Sequence, residues 1–179
     1  MNTETIIISL GGSLIVPDEI DVEFLKSFKN LILSEIEQGK KFIIVTGGGR
    51  TCRKYQASTQ AVNGDVSKED LDWLGIYSTR FNAEFVRILF GDIAENKIII
   101  DPILPVNFDK QITIGGGWKP GWSTDYVSVS IAKNVSAKKV INLSNTDYVY
   151  DSDPKINKDA KKIEKISWAD YRKLIPKDW

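Results

Sequence analysis

Five short runs rich in β-branched residues constrain this chain more than any other feature: Thr5–Leu10 (TIIISL), Lys41–Thr46 (KFIIVT), residues 97–100 (KIII), residues 111–114 (QITI) and Lys139–Leu143 (KVINL). Each is short for a helix and too continuously apolar for a strand with one wet face, so each is expected to be a strand buried on both faces. Between them lie segments with helical spacing. Residues 21–38 place Val22, Leu25, Phe28, Leu31, Ile32 and Ile36 on one side, and Gly39 follows as a C-cap. Ser67 opens a longer helix with Asp70 three residues on, a capping-box arrangement. Its stripe Leu74, Phe81, Phe85, Ile88 and Leu89 is expected to face the core. The opposite face, Asp72, Gly75, Ile76, Thr79 and Ala83, suits either solvent or another helix, from a second subunit for example. A further helix is expected from about Thr124 to Asn134. Strands alternating with helices in this way predict an α/β fold, a mainly parallel sheet with helices on both faces. No repeat, low-complexity tract or linker interrupts it, so residues 1–179 are expected to form one domain.

Charge and composition narrow the function. Twenty-four Lys and Arg balance twenty-four Asp and Glu, so no global field attracts nucleic acid or an anionic membrane. There is no histidine and one cysteine, Cys52. That removes His-based triads and general bases, His- or thiolate-built zinc sites and any internal disulfide. No basic leader followed by an apolar core and cleavage site opens the sequence, and the expectation is a cytoplasmic chain.

Three of the strand-like runs end in glycine: at Gly11-Gly12-Ser13, at Gly47-Gly48-Gly49-Arg50 and at Gly115-Gly116-Gly117. In a parallel sheet these ends share one edge, where ligands bind. Glycine lets amides approach an anion closely, and a helix beginning just beyond adds its free N–H groups. A tight turn explains any one cluster; three at equivalent positions point to a phosphate-bearing ligand. Residues 116–121 have Walker A glycine spacing, but Trp122-Ser123 replaces Lys-Ser/Thr, and the first strand lacks G-x-G-x-x-G. Arg50, Arg53 and Lys54 stand beside the second cluster and Lys119 within the third, as charge-assisted donors to phosphate. Ser123 or Thr124 is expected to cap the following helix. Asp125 suits a place beside a metal ion or cationic side chain near transferring phosphate. SNTDYVYDSDP, residues 144–154, combines short polar groups with two tyrosines able to cover a flat base, or else simply forms turns.

The ordered set GGSLIVPDEID, VTGGGRTCRKY, LDWLGIYSTRFNA, GGGWKPGWSTD and NTDYVYDSDPK resembles the amino acid kinase family, and within it the archaeal-type uridylate (UMP) kinases, over essentially the whole chain. The resemblance implies a three-layer α/β/α sandwich, homo-oligomers built from dimers, and transfer of a phosphoryl group from ATP with Mg2+ to UMP. It implies no nucleic-acid or membrane partner. Gly12, Ser13, Gly49 and Arg53 would contact ATP phosphates, and Ser144, Asn145, Tyr150 and Asp153 its nucleoside. Gly48, Asp72, Trp118, Lys119, Pro120, Gly121, Trp122, Ser123 and Thr124 would hold UMP. Asp125, Arg53 and Lys119 would act at the reacting phosphates, where UMP is already a nucleophile and needs no strong base.

The chain departs from that pattern at three places. Many family members carry lysine where Ser9 stands, so charge is expected instead from Arg50, Arg53, Lys119 or one of Lys155, Lys161 and Lys162. Tyr148 replaces a common glycine and would narrow the adenine pocket. The sequence ends at IPKDW where relatives continue, which reads as a domain lacking its C-terminal part. Alternatives to a UMP kinase are another small-molecule kinase of this fold, or a nucleotide-binding scaffold with little or no catalysis.

Overall fold

The computed structural model describes residues 4–106, 109–146, 148–152, 154 and 156–174. Two compact units divide the chain, Met1–Asn145 and Thr146–Trp179. The larger contains strands β1 (Thr5–Leu10), β2 (Lys41–Thr46), β3 (Ile112–Gly115) and β4 (Lys139–Leu143). All pair in parallel, in the order β3-β2-β1-β4. Helices α1 (Gly12–Ile15), α2 (Val22–Glu37), α3 (Gly49–Asn63), α4 (Lys68–Phe90) and α5 (Thr124–Asn134) connect them.

The two-residue pleat sorts the strand side chains into two cores. Ile6, Ile8 and Leu10 of β1 join Phe42, Ile44, Ile112 and Ile114 beneath α2 and α4, which contribute Leu25, Phe28, Ile32, Ala83, Val86 and Phe90. On the other face Ile7, Ile43 and Val45 meet Val127, Ile131 and Ala132 of α5. The expected α/β/α layering is therefore present. Caps follow the sequence signals: Asp21 accepts from the Phe24 amide and Ser67 from the Asp70 amide, while Ser123 rather than Thr124 caps α5. The C-cap of α2 is Gln38 rather than the expected Gly39, which follows it with φ of 86°, a left-handed conformation that glycine adopts without a Cβ clash.

The smaller unit pairs β5 (Val149–Tyr150) with β6 (Lys162–Ile163) in antiparallel fashion and adds the short helix α6 (Trp168–Leu174). Within it the Lys162 ammonium lies 3.6 Å from the centroid of the Tyr148 ring.

Two expectations require correction. Residues 97–100 form no strand of their own; the segment touches the sheet edge through an isolated bridge from Ile99 to Gly115. Pro102, which has no N–H to offer a ladder, follows almost at once. The faces of α4 are also reversed. Ile76, Thr79, Asn82, Ala83 and Val86 are buried, whereas Phe81 is 71% and Ile88 64% exposed. Only Phe85 and Leu89 of the expected stripe pack at the margin of the core. The reason is clearance. The glycine loop after β3 crosses this helix so closely that a Cβ on Gly116 would lie 3.0 Å from the Arg80 Cα, and one on Gly117 2.9 Å from Thr79 Oγ1. Only a face of small side chains admits that approach, whatever the hydrophobicity of the other.

The reversal makes a paired test. Val86→Ala, on the buried face of α4, should destabilise by about 1.5–3 kcal/mol. The same change at Val62, 83% exposed near the end of α3, should stay within about 0.5 kcal/mol. Urea denaturation of both variants reads the difference; equal costs would place α4 the other way round.

Candidate functional site

The C-terminal ends of the strands carry two adjoining constructions. In the first, the loops after β1 and β2 interlock. A Cβ on Gly12 would lie 2.1 Å from the Gly49 amide nitrogen, and one on Gly47 2.5 Å from that of Gly12. No residue but glycine fits this contact, and Gly49 also requires its φ of 64°. The buried Asn82 reaches across from α4 and donates to the Gly47 carbonyl at 2.8 Å, fixing the junction. Beside it, the Gly11 amide donates to the Leu143 carbonyl at 2.8 Å. Here β1 leads outward to β2 and β3, while β4 lies on its other side, the topological switch at which α/β sheets bind ligands. Gly12 and Ser13 begin α1, and Gly49 begins α3, at this edge.

In the second, a cleft of about 440 Å³ opens between α3, α4 and the loop of residues 116–123. Asp72, Lys119, Gly121, Trp122, Ser123 and Thr124 all line it, six of the nine residues expected for the acceptor. The Asp72 carboxylate accepts from the Gly121 amide at 2.9 Å. Gly48 lies behind the wall, where its Cβ would meet that of Cys52 at 2.7 Å. Trp118 turns instead toward the α5 core. Its ring carries the Lys119 ammonium 4.0 Å from the centroid, and Trp122 and Tyr126 continue the aromatic series with ring centroids 4.0 Å apart.

The first turn of α5 joins the two constructions. Thr124 faces the cleft, and the next residue, Asp125, reaches the sheet. Asp125 Oδ1 accepts from Ser9 Oγ of β1 at 2.6 Å and from Asn142 Nδ2 of β4 at 3.2 Å. Ser9 therefore meets this carboxylate with a neutral donor. Among the described residues no Lys or Arg forms an ion pair with Asp125.

The cations divide unequally. Arg50 and Lys54 are turned to Asp18, at 3.5 and 3.6 Å, and Lys54 also to Glu19. Arg53 makes no ion pair among the described residues and lies near enough to Cys52 to oppose the upward shift of its thiol. Of the residues expected around the ATP nucleoside, Ser144 and Asn145 follow β4 in the larger unit and Tyr150 lies in β5 of the smaller. Asp153 and Lys155 fall outside the described residues.

Three contributors escaped the sequence reading. Cys52 lines the cleft, Gln56 Nε2 donates to the Leu71 carbonyl at 2.8 Å across its floor, and Arg80 grips the glycine loop. A lone cysteine and a helix-borne arginine give no pattern to find. Burial pushes the Cys52 thiol above its ordinary value, opposed by Arg53 and reinforced by Asp72. Less thiolate is then present at neutral pH than for a free cysteine. Iodoacetamide should alkylate Cys52 more slowly than a free thiol at pH 7.5 and speed up through pH 9–10, as ~8.5 is the ordinary thiol value. Mass spectrometry of the modified peptide measures both; reactivity matching a free thiol would mean the cleft wall is misplaced.

Comparisons with known proteins agree with this architecture. A sequence profile described as the amino acid kinase family matches residues 4–178. The uridylate kinase of Thermoplasma acidophilum is 34% identical over 173 residues, 96% of this chain and 72% of that protein. That of Thermococcus sibiricus is 36% identical over 165 residues, 90% and 72% respectively. The crystal structure of the uridylate kinase from Archaeoglobus fulgidus superposes with a TM-score of 0.73 at 30% identity, covering 88% of this chain and 71% of that one. With the interlocked glycine loops, the parallel sheet and these likenesses together, the chain belongs to the amino acid kinase family.

Proposed function

We propose that this protein is a UMP kinase, transferring the γ-phosphoryl group of ATP to the phosphate of UMP. The observation that carries the reading is the convergence of Asp72, Lys119 and residues 121–124 on one cleft, whose α5 wall continues directly into the Asp125–Ser9–Asn142 cluster. UMP occupies the cleft and ATP the switch between β1 and β4. A UMP phosphate oxygen forms the new bond to the γ-phosphorus as the β,γ-bridging bond breaks and ADP leaves. Little covalent work is asked of the protein; it aligns two anions and offsets their repulsion. Asp72 holds the acceptor loop and meets the ribose, Arg53 and Lys119 supply positive charge, and the amides of Gly12, Ser13, Gly48 and Gly49 receive phosphate oxygens.

Among the described residues no group of three or more Cys, Asp or Glu is placed to hold a metal. Mg2+ travels on nucleotide phosphates, keeps several waters and needs only one or two protein carboxylates. Asp125 fits the role, since both of its hydrogen bonds among the described residues fall on Oδ1, so that Oδ2 can serve a ligand. The ion, when bound, would neutralise charge on the phosphates. Ser9 favours a second reading, a nucleotide-binding scaffold, because the neutral hydroxyl leaves this end of the site without the lysine of many relatives.

We further propose a homo-oligomer assembled through α4. Tyr77, Phe81 and Ile88 recur at helical spacing on its outer face, all well exposed, a large apolar stripe that a second copy would cover. No described helix is long and apolar enough to cross a membrane.

A coupled assay should show ADP formation from MgATP that UMP stimulates above CMP or AMP. Asp125→Asn should lower kcat by about 100-fold or more, and Asp72→Asn should raise the KM for UMP by about 10-fold. Calorimetric binding of both nucleotides without turnover selects the scaffold, and binding of neither defeats both readings. Light scattering should report a lower mass for Phe81→Glu than for the parent chain; an unchanged mass would rule out the α4 interface.

A further inference from the structure

The guanidinium of Arg80 binds the backbone of the acceptor loop and is not among the residues that line the cleft. Its Nε donates to the Gly117 carbonyl at 3.0 Å and its Nη2 to the Trp118 carbonyl at 2.8 Å. One residue earlier in α4, the buried Thr79 hydroxyl accepts from the Gly117 amide at 2.6 Å while donating to the Ile76 carbonyl. Three backbone groups of the loop, the Gly117 amide and the carbonyls of residues 117 and 118, are thus taken by two adjacent side chains. No cis peptide occurs among the described residues. In a trans peptide the C=O and the following N–H point in opposite directions. Holding those two carbonyls therefore turns the amides of Trp118 and Lys119 away from Arg80.

Neither amide donates to a protein group among the described residues, although Gly117 and Lys119 both line the cleft. Arg80 itself has no ion pair among the described residues, and its rigid fork suits paired acceptors in a way that a lysine ammonium does not. From this geometry we propose that Arg80 is a positioning residue of the acceptor site, aiming the Trp118 and Lys119 amides into the cleft as donors for oxygen atoms of the acceptor. The proposal rests on the cleft being the acceptor site. Pyrimidine carbonyl and phosphoryl oxygens are both acceptors such amides can serve.

Arg80→Gln should raise the KM for UMP by about 10- to 100-fold, the equivalent of one or two hydrogen bonds to a charged or buried partner, with kcat and the KM for ATP changing less than threefold. Arg80→Lys, which keeps the charge but loses the fork, should recover less than half of that loss on a logarithmic scale. Arg87→Gln, which removes only a pair with Glu84 on the same helix, should leave the KM for UMP unchanged. In the ligand-free protein, 15N relaxation should show the Trp118 and Lys119 amides as rigid as the strands in the parent chain and mobile in Arg80→Gln. Uridine binding identifies the oxygen served: it weakens along with UMP if the amides hold the base, and is unchanged if they hold the phosphate, and either pattern supports the role. An unaltered KM for UMP in Arg80→Gln, or loop amides as rigid as in the parent, overturns it. Failure of the parent chain to bind UMP would instead overturn the acceptor assignment, while the relaxation data would still decide whether Arg80 orders the loop.

Discussion

Helix α4 can lie where it does only because two runs of small residues meet. Its inner face presents Ile76, Thr79 and Ala83 to the sheet and loop, and the chain leaving β3 presents Gly116 and Gly117. A methyl group on either glycine would press into helix backbone or the Thr79 hydroxyl, and densely packed interiors do not absorb such an intrusion cheaply. The contact fixes the height of the helix above the sheet, and through it the wall of the cleft. It also brings Asp72, Thr79 and Arg80 to a loop 37 to 49 residues away in sequence, where they bind Gly121, Gly117 and Trp118. One helix thereby serves as both core element and frame for the loop that walls the cleft.

A second steric fit, Gly12 against Gly47 and Gly49, does the same for the other end of the site. Glycine clusters invite a reading in terms of anions, because exposed amides attract phosphate. In this molecule many of the glycines are needed first for backbone passing backbone. The two roles are compatible: the same close passage gathers the amides of both loops at one sheet edge. What a phosphate would meet here is a consequence of packing that glycine alone permits.

Electrostatics complete the arrangement sparingly. Arg50 and Lys54 are engaged by surface acids, exposed pairs of small energetic weight. Asp125 is oriented by a hydroxyl and an amide rather than by a cation. Such a carboxylate is held in place without being neutralised, so its charge remains available to whatever positive partner a nucleotide brings.

The amino-acid sequence alone determined the layered parallel fold, the limits of β1, β2, β4 and α5 and the Ser67 cap of α4, and it named six of the residues that line the cleft. These follow from local periodicity, short-range capping and the order of glycine-rich strand ends, all of which act within a few residues. Tertiary structure decided which face of α4 is buried, since hydrophobicity favoured Phe81 and Ile88 whereas clearance against a distant loop demanded Thr79 and Ala83. It decided that residues 97–100 lend the sheet edge only a bridge. It also decided the partners of Ser9, Asp125 and Arg80, which are separated by up to 116 positions. No local pattern encodes such pairings, because their geometry exists only once the sheet and its helices have closed around them.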